Sequence, residues 1–558
     1  MEMTTHRAGG APPSGTWPHE PVLVLGAGPV GQTAALLLAR WGVPTIVLDK
    51  RAERDAVGSK AICQQRDVLD VWEAVGAGRR IAAEGVTWTT ARTFHRDSEL
   101  FAVTFAEPGR PAFPPFVNIS QTRTEQILDE HIAAEPLVDL QWGRQVVEVD
   151  QDAWGVTVRL ADGTRLGGSY LVVCAGARSD DLRTLLGVTF DGHSFDDRFL
   201  ICDIRADLPG WADERRFYFD PHWNPGRQVL IHPCPDSTFR IDWQVPADHD
   251  LDAETASGAL DSRIRAIVGD RDYEIVWKSV YRFHSRVVDR MRSGRVLIAG
   301  DAAHLVSPFG ARGLNSGVGD AENAAWKIAY AGHGWAPDDL LETYHLERHA
   351  AALENLAVTT ATMEFLVPPD EVRADRRADV LTRAATDPCS RAAVDSGRLA
   401  EPFWYVESPL TVADPRRPFG GRPRRGEVPL PGPGVLVPDA PVTLGGAGPT
   451  RVRELARDGF LLVLGADVDV AAVERAAAAA PGPVRVLMLD GMDPDGAFGA
   501  VLDARADEVW VVRPDAHIAA VLAAPTHDEL AATLARAVHD TSPRTREEQR
   551  DGVLQTGR

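Results

Sequence analysis

The chain has 558 residues, 44% of them hydrophobic, which is length for several domains and apolar content for large cores. Its formal charge of −21 repels phosphate backbones and argues against a nucleic-acid partner, while five scattered cysteines without a CxxC pair argue against a disulfide framework, a zinc site or a dithiol centre. The same cysteine pattern means that no metal is expected and makes a reducing cytoplasm the natural setting, and since no apolar run is long enough to span a bilayer, no membrane is expected either.

Residues 1–18 are polar and rich in Gly, Pro and Thr, without the apolar core of a signal peptide, and read as a disordered tail. From 21 to 50 the chain predicts a βαβ unit: an apolar strand, the turn Gly26-Ala27-Gly28-Pro29-Val30-Gly31, an apolar helix, and a second strand ending at Asp49 and Lys50. Gly26 permits a tight turn, Gly28 lets backbone approach a pyrophosphate, Gly31 lets helix and strand pack closely, and the helix N-terminus faces phosphate charge. Asp49 is then placed to hydrogen-bond a ribose diol. A glycine-rich turn alone can be purely structural; with strand, helix and distal acid in place, dinucleotide binding is the stronger reading.

Between Leu182 and His284 the pattern changes to strands at 199–204, 216–219, 228–232, 239–244 and 273–283, which predict a mostly antiparallel sheet. Its Tyr218, Trp223, His232, Trp243 and Tyr281 are candidates for a substrate pocket, to be weighed against ordinary sheet core for the aromatics and a structural role for the histidine. A buried strand then ends at Gly300-Asp301, where a carboxylate can accept hydrogen bonds from sugar hydroxyls. Pro308 and the loop Gly310-Ala311-Arg312-Gly313-Leu314-Asn315 open a long helix near Asn315. Backbone N–H groups at that start suit the electron-rich N1–C2=O edge of a flavin, which becomes negative on reduction, so FAD fits better than NAD. After a helix at 337–355, a Pro- and Gly-rich tract at 402–449 reads as a linker wrapping the surface. Strands at 460–464, 484–489, 508–512 and 517–522, a helix at 468–480 and a last helix opened by the capping box Thr526-His527-Asp528-Glu529 form a small α/β domain.

Six motifs in this order, Gly26–Gly31, Gly58-Ser59-Lys60-Ala61-Ile62-Cys63, Phe116–Gln121, Gly300–His304, Pro308–Asn315 and Trp326-Lys327, resemble the flavin-dependent aromatic hydroxylases of the p-hydroxybenzoate hydroxylase fold. The likeness spans about 21–357 and is strongest to the branch of 3-(3-hydroxyphenyl)propionate hydroxylase and the phenol and polyketide hydroxylases. It implies an α/β chain with a Rossmann-like FAD-binding domain in two parts (19–185 and 285–400), an antiparallel-sheet substrate domain (186–284), a linker (401–449), a thioredoxin-like C-terminal domain (450–545) and a tail (546–558).

The resemblance also implies residue roles. Asp49 meets the adenosine ribose, Lys60 stands where the family has an arginine near the FAD phosphate, Gln121 contacts the ribityl region and Val147 the adenine side. Asp301 meets the ribityl chain, Gly313, Leu314 and Asn315 the isoalloxazine ring, and Pro308 the loop beside its reactive face. One motif departs: Ala175 replaces the family's aspartate, with Asp180 or Asp181 as substitutes, unless both are merely solvated acids favoured by a helix start. The implied activity is a single-component monooxygenase in which NADPH or NADH binds transiently, reduces FAD, and O2 then hydroxylates a small phenolic, aromatic or polyketide substrate through a flavin C4a-hydroperoxide. No residue stands out as the base. Alternatives are a Baeyer–Villiger, epoxidising or N-hydroxylating monooxygenase on a natural product, and a non-oxygenating flavoprotein or assembly protein. With no cysteine after Cys389, the last domain is expected to pack or to support a homodimer rather than to perform dithiol chemistry.

Overall fold

Val22–Leu25 (β1) is apolar and buried at every position, the pattern of a strand covered on both faces. It leads through Gly26, at φ +107, into the helix Pro29–Arg40 (α1), and the chain returns as Thr45–Asp49 (β2), parallel to β1. A Cβ on Gly31 would lie 1.9 Å from the Gly26 carbonyl oxygen, so only glycine lets α1 sit this close to the turn. The computed structural model describes residues 17–54, 61–107, 109–444 and 449–540. The expected tails and Lys60 therefore lie outside the described residues, apart from Trp17 and Pro18. Farther along, Cys63–Gln65 (β3), Gln121–Ala134 (α2) and Leu171–Val173 (β4) join this unit, β4 pairing in parallel with β1 on the side away from β2.

Five long strands follow: Phe190–Ala206 (β5), Glu214–Phe219 (β6), Gln228–Cys234 (β7), Thr238–Val245 (β8) and Tyr273–Val288 (β9). Among the described residues they form an eight-stranded sheet in the order His304–Leu305, β9, β5, β8, β7, β6, Thr90–His95, Ser98–Thr104. Every pairing is antiparallel except β6 with Thr90–His95, so the sheet is wider than the segment 186–284 and draws strands from both sides of it. Successive side chains point to opposite faces. One face, with Leu200, Cys202, Ile204, Val229, Ile231, Ile241 and Trp243, packs on the helix Ala259–Val268 (α3) through Leu260, Ile264 and Val268.

Val296–Ile298 (β10) returns to the first sheet beside β4 and completes the order Arg292–Ser293, β10, β4, β1, β2, Val138–Trp142. The helix Arg312–Gly332 (α4) then packs on α1, followed by Glu342–Leu366 (α5) and Glu371–Thr386 (α6). The Pro- and Gly-rich tract is less of a surface wrap than its composition suggests. Leu410, Val435, Val437 and Ala440 are buried, and backbone bonds from Val412 to Ala519 (2.8 Å) and from Gly434 to Ile518 (2.7 Å) tie it down.

The last domain runs Phe460–Leu464 (β11), Val470–Ala478 (α7), Val484–Met488 (β12), Glu508–Val512 (β13), Ile518–Ala523 (β14) and His527–Ala537 (α8), with sheet order β12-β11-β13-β14. β11 and β12 are parallel, the other pairs antiparallel, and α8 carries the expected capping box. A buried charge network docks this domain. Glu347 of α5 accepts hydrogen bonds from Lys327 Nζ (2.6 Å), Asn323 Nδ2 (2.8 Å), Ser408 Oγ (2.6 Å) and Arg513 Nη1 (2.6 Å), and Arg513 also pairs with Asp515 (2.6 Å). Among the described residues no helix is long and apolar enough to cross a membrane.

Candidate functional site

A cavity of about 770 Å³ opens between the C-terminal ends of β1, β2, β4 and β10 and the second face of the eight-stranded sheet. In open parallel sheets this is the side where ligands bind. Two helix N-termini face it. α1 starts from Gly28, which has no capping side chain, no acid in the turn that follows, and nothing within 4 Å of where a Cβ would stand. α4 starts from Ala311, also without a side-chain cap, and Gly310 through Leu314 line the wall. Uncapped first-turn N–H groups and the positive ends of two helix dipoles thus address one space.

Asp49, at the tip of β2, lines the same space. Its carboxylate accepts hydrogen bonds from the backbone N–H of Ala27 (2.8 Å) and of Arg51 (2.9 Å) and from the Arg51 guanidinium. Burial alone would raise its pKa, but these donors outweigh burial and hold it below the usual carboxylate value. Lys50, Arg51, Arg144 and Arg178 give this end a basic lining despite the acidic chain. Asp301 follows β10 on the opposite wall, and its turn is pinned from behind. The Gly300 N–H donates to Asp320 (2.9 Å), which is also bound by His304 (2.7 Å) and Arg348 (2.7 Å). Gln121 joins the wall at the start of α2, accepting from the Ala61 N–H (3.1 Å).

Of the residues expected at a flavin, Gly26, Gly28, Pro29, Val30, Asp49, Lys50, Gln121, Asp301, Pro308, Gly313 and Leu314 line the cavity. Three do not. Gly31 is consumed in packing α1 against its turn, and Val146, one residue away from Val147, is the side chain that reaches the wall. Asn315 turns inward: it accepts from the Gln65 N–H (3.0 Å) and donates to the carbonyls of Cys63 (3.0 Å) and Ala311 (2.6 Å), bolting α4 to β3. Beside Ala175, Asp181 reaches the cavity rim, whereas Asp180 is an exposed helix-start acid paired with Arg183 (2.8 Å).

Of the five substrate-pocket candidates, only His232 lines the cavity. Tyr218 and Trp243 belong to the face that packs on α3, and Trp223 lies against Tyr218 with ring centroids 5.5 Å apart. Tyr281 stands beyond the cavity wall near Trp277 (6.2 Å). For Tyr218 and Trp243 strand alternation is the cause: the cavity takes Phe199 and Ile201 of β5, Arg215 of β6, Leu230 and His232 of β7, Arg240 and Asp242 of β8, and Phe283 of β9, whereas Tyr281 shares the parity of Phe283 and still lies outside the lining. Phe309, next to Pro308, is buried against Phe199 (5.1 Å) and Phe283 (6.1 Å), giving this end aromatic walls. The parity of His232 within its predicted strand was a readable signal; which residues of other strands stand beside it was not.

The polar side chains on this face fall into two groups. Arg240 and Asp203 satisfy each other in a two-pronged pair at 2.7 and 2.8 Å. Arg215, His232 and Asp242 do not: Arg215 Nε, His232 Nδ1 and Asp242 Oδ1 are buried without a hydrogen-bond partner, and His232 Nε2 stands 4.0 Å from Asp242. Burial pushes Asp242 up to about 7, only partly offset by Arg240 and Arg215. Burial, reinforced by the Arg215 and Arg240 cations, holds His232 well below its ordinary value and therefore neutral. A second cavity of about 290 Å³ adjoins the first and shares Arg215 and Leu399 with it.

Residues 19–359 match the FAD binding domain family. The 3-(3-hydroxy-phenyl)propionate/3-hydroxycinnamic acid hydroxylase of Mycobacterium sp. (strain KMS) is 29% identical over 542 residues, covering 93% of this chain and 91% of that one. The rifampicin monooxygenase of Streptomyces venezuelae is 34% identical over 362 residues, covering 64% of this chain and 74% of that one. The crystal structure of the flavin-dependent monooxygenase PieE in complex with FAD and substrate has the same fold, with a TM-score of 0.77 at 24% identity over 94% of this chain and 100% of that one.

Proposed function

The chain belongs to the FAD binding domain family, and from that premise we propose that it is a single-component flavin monooxygenase that uses NADPH or NADH and O2 to hydroxylate an aromatic, phenolic substrate. One observation carries the reading: a single cavity joins an anion-binding end, built from the uncapped start of α1, Asp49 and a basic rim, to an aromatic end walled by Phe199, Phe283 and Phe309 beside the uncapped start of α4. The first end suits the phosphates and ribose of FAD, the second a flat ring lying next to the flavin. The hydroxylase and monooxygenase named among the relatives support the same chemistry.

Bound FAD supplies two-electron reduction by the nicotinamide donor and the activation of dioxygen. The chain's own residues bind, orient and exclude water. The first turn of α1 holds the pyrophosphate, Asp49 a ribose diol and Asp301 the ribityl chain. The start of α4 stabilises the negative charge that reduction places on the ring. The Pro308–Phe309 loop, fixed by ring contacts to the sheet, closes the aromatic end. The β12-β11-β13-β14 order with one parallel pair supports a thioredoxin-like reading of the C-terminal domain, in a docking rather than a redox role.

The test is direct. Purified protein should be yellow or take up FAD, and a phenol panel should stimulate NAD(P)H consumption and place oxygen-18 from O2 in the product. A protein that stays colourless in excess FAD overturns the reading. So does NAD(P)H consumption in which every equivalent of O2 leaves as peroxide across the whole panel.

A further inference from the structure

We propose that Arg215, His232 and Asp242 form a seat for an acidic aryl hydroxyl group, in which Asp242 takes the hydroxyl proton and Arg215 holds the resulting aryloxide. This rests on the hydroxylase reading and supplies the base that reading lacks.

The three side chains come from three neighbouring strands, β6, β7 and β8, and line one stretch of the cavity. Each carries a buried polar atom without a partner, and an unmade hydrogen bond of this kind costs about 1–3 kcal/mol. The same sheet face shows what charges look like when they serve structure alone: Arg240 and Asp203, one strand apart, leave nothing open between them. Open atoms kept beside a closed pair are addressed to a ligand.

The chemistry of that ligand follows from the donor set. Arg215 offers only donors, ionised Asp242 only acceptors, and neutral His232 one of each. A ligand carboxylate would meet Asp242 charge against charge, and an aliphatic alcohol is too weak an acid to give its proton to a carboxylate. An aryl hydroxyl fits both: it donates to Asp242 and, once ionised, turns a negative oxygen toward Arg215. Its ring then lies among Phe199, Phe283 and Phe309. In the step, the O–H bond breaks, the proton moves to the Asp242 carboxylate, and the electron pair stays on the aryl oxygen. The ring is thereby enriched for attack on an electrophilic oxygen, and the proton returns as product leaves.

The groups that face Asp242 are Arg215 on β6, His232 on β7, Arg240 on its own strand and Asp203 on β5, with Cys63 of β3 near Arg215. With its pKa raised by burial to about 7, Asp242 is a stronger base than an ordinary carboxylate and still ionised in mildly basic solution.

The probe is 3-nitrophenol, whose absorbance reports ionisation, added to FAD-loaded enzyme at a pH above the Asp242 titration and below that of the free phenol. The wild type should bind it as the phenolate with no net proton release, because Asp242 keeps the proton; release is read from binding heats in two buffers of different ionisation enthalpy. Asp242→Asn should either bind the neutral phenol or release one proton per phenolate bound, and Arg215→Met should lose the phenolate spectrum. In kcat/KM the acidic limb near pH 7, where activity rises as the base ionises, should vanish in Asp242→Asn, with kcat lowered about a hundredfold or more. Flavin content reports folding of each variant, and the wild-type proton count stands without either. Neutral phenol on flavin-loaded wild type, or phenolate bound by Asp242→Asn with no proton released, overturns this inference alone; absence of flavin strikes the hydroxylase reading instead.

Discussion

Glu347 and Asp242 are both carboxylates sunk among arginines, and the protein treats them in opposite ways. Glu347 has two cations and two neutral donors within 2.8 Å, and every one of these bonds joins α5 to α4, to the proline-rich tract or to the C-terminal domain. Asp242 keeps one oxygen without a partner and 19% of its side chain exposed, into the cavity it lines. Their acidities diverge accordingly. Burial would raise both, but Arg513 and Lys327 outweigh it at Glu347 and hold that carboxyl below the ordinary range, whereas Asp242 rises to about 7. A closed charge network fastens domains together; an open one waits for a ligand.

The contrast can be broken most forcefully at its closed end. Glu347→Ala strands Lys327 in the interior, leaves Arg513 with Asp515 alone, and should cost about 3–5 kcal/mol, read as a lower denaturant midpoint; an unchanged midpoint would mean the network fastens nothing. Next in size is the dinucleotide end of the cavity: Asp49→Ala removes a charged acceptor and should weaken FAD by about 1.5–3 kcal/mol, seen in a fluorescence titration of the apoprotein. Arg215→Met should move stability the other way. It replaces a buried guanidinium whose Nε has no hydrogen-bond partner and whose acidity is raised by burial, so unfolding should require about 1–2 kcal/mol more, while phenol turnover falls. A loss of stability there would show that Arg215 belongs to the closed kind.

The pH dependence carries opposite signs at the two sites. Between about pH 4 and 7 folded Asp242 holds a proton that the unfolded chain has released, so its contribution falls as pH rises, by at most about 1.4 kcal/mol per unit, and is level above 7. Glu347 and Asp515 have depressed folded values, so their contribution is present above the ordinary carboxylate range and is lost as pH falls. Unfolding midpoints of Asp242→Asn against pH should therefore lose the first slope and keep the second. The smallest effect is expected at Tyr218→Phe, on the sheet face turned toward α3: turnover within about twofold of wild type and stability lower by about 1 kcal/mol, from the lost Arg216 contact.

What the sequence disclosed was local. The turn Gly26–Gly31, the acid at Asp49, the strand end at Asp301 and the glycine-rich start of α4 each have a spacing of a few residues, and all converge on the cavity. What it concealed depends on register. Arg215, His232 and Asp242 meet because β6, β7 and β8 align as they do, and a shift of one residue would send Tyr218 or Trp243 inward instead. Thr90–His95 joins the far sheet in parallel from more than a hundred residues upstream of β6, a pairing no turn motif announces. Asn315 sits at the right helix start for a flavin contact and is spent on β3, because its amide matches the two backbone groups left over there.

Glu347 and its neighbour Arg348 lie side by side on α5. The first clasps Arg513 of the last domain, while the second grips Asp320, the residue that positions the turn bearing Asp301. Tyr405 in the intervening tract bonds Arg348 as well. Truncating the polypeptide after α6 would hence not yield a minimal catalyst: with the appendage gone, the helix that braces the prosthetic-group turn would lose its clamp, and the shortened protein should shed its colour on dilution.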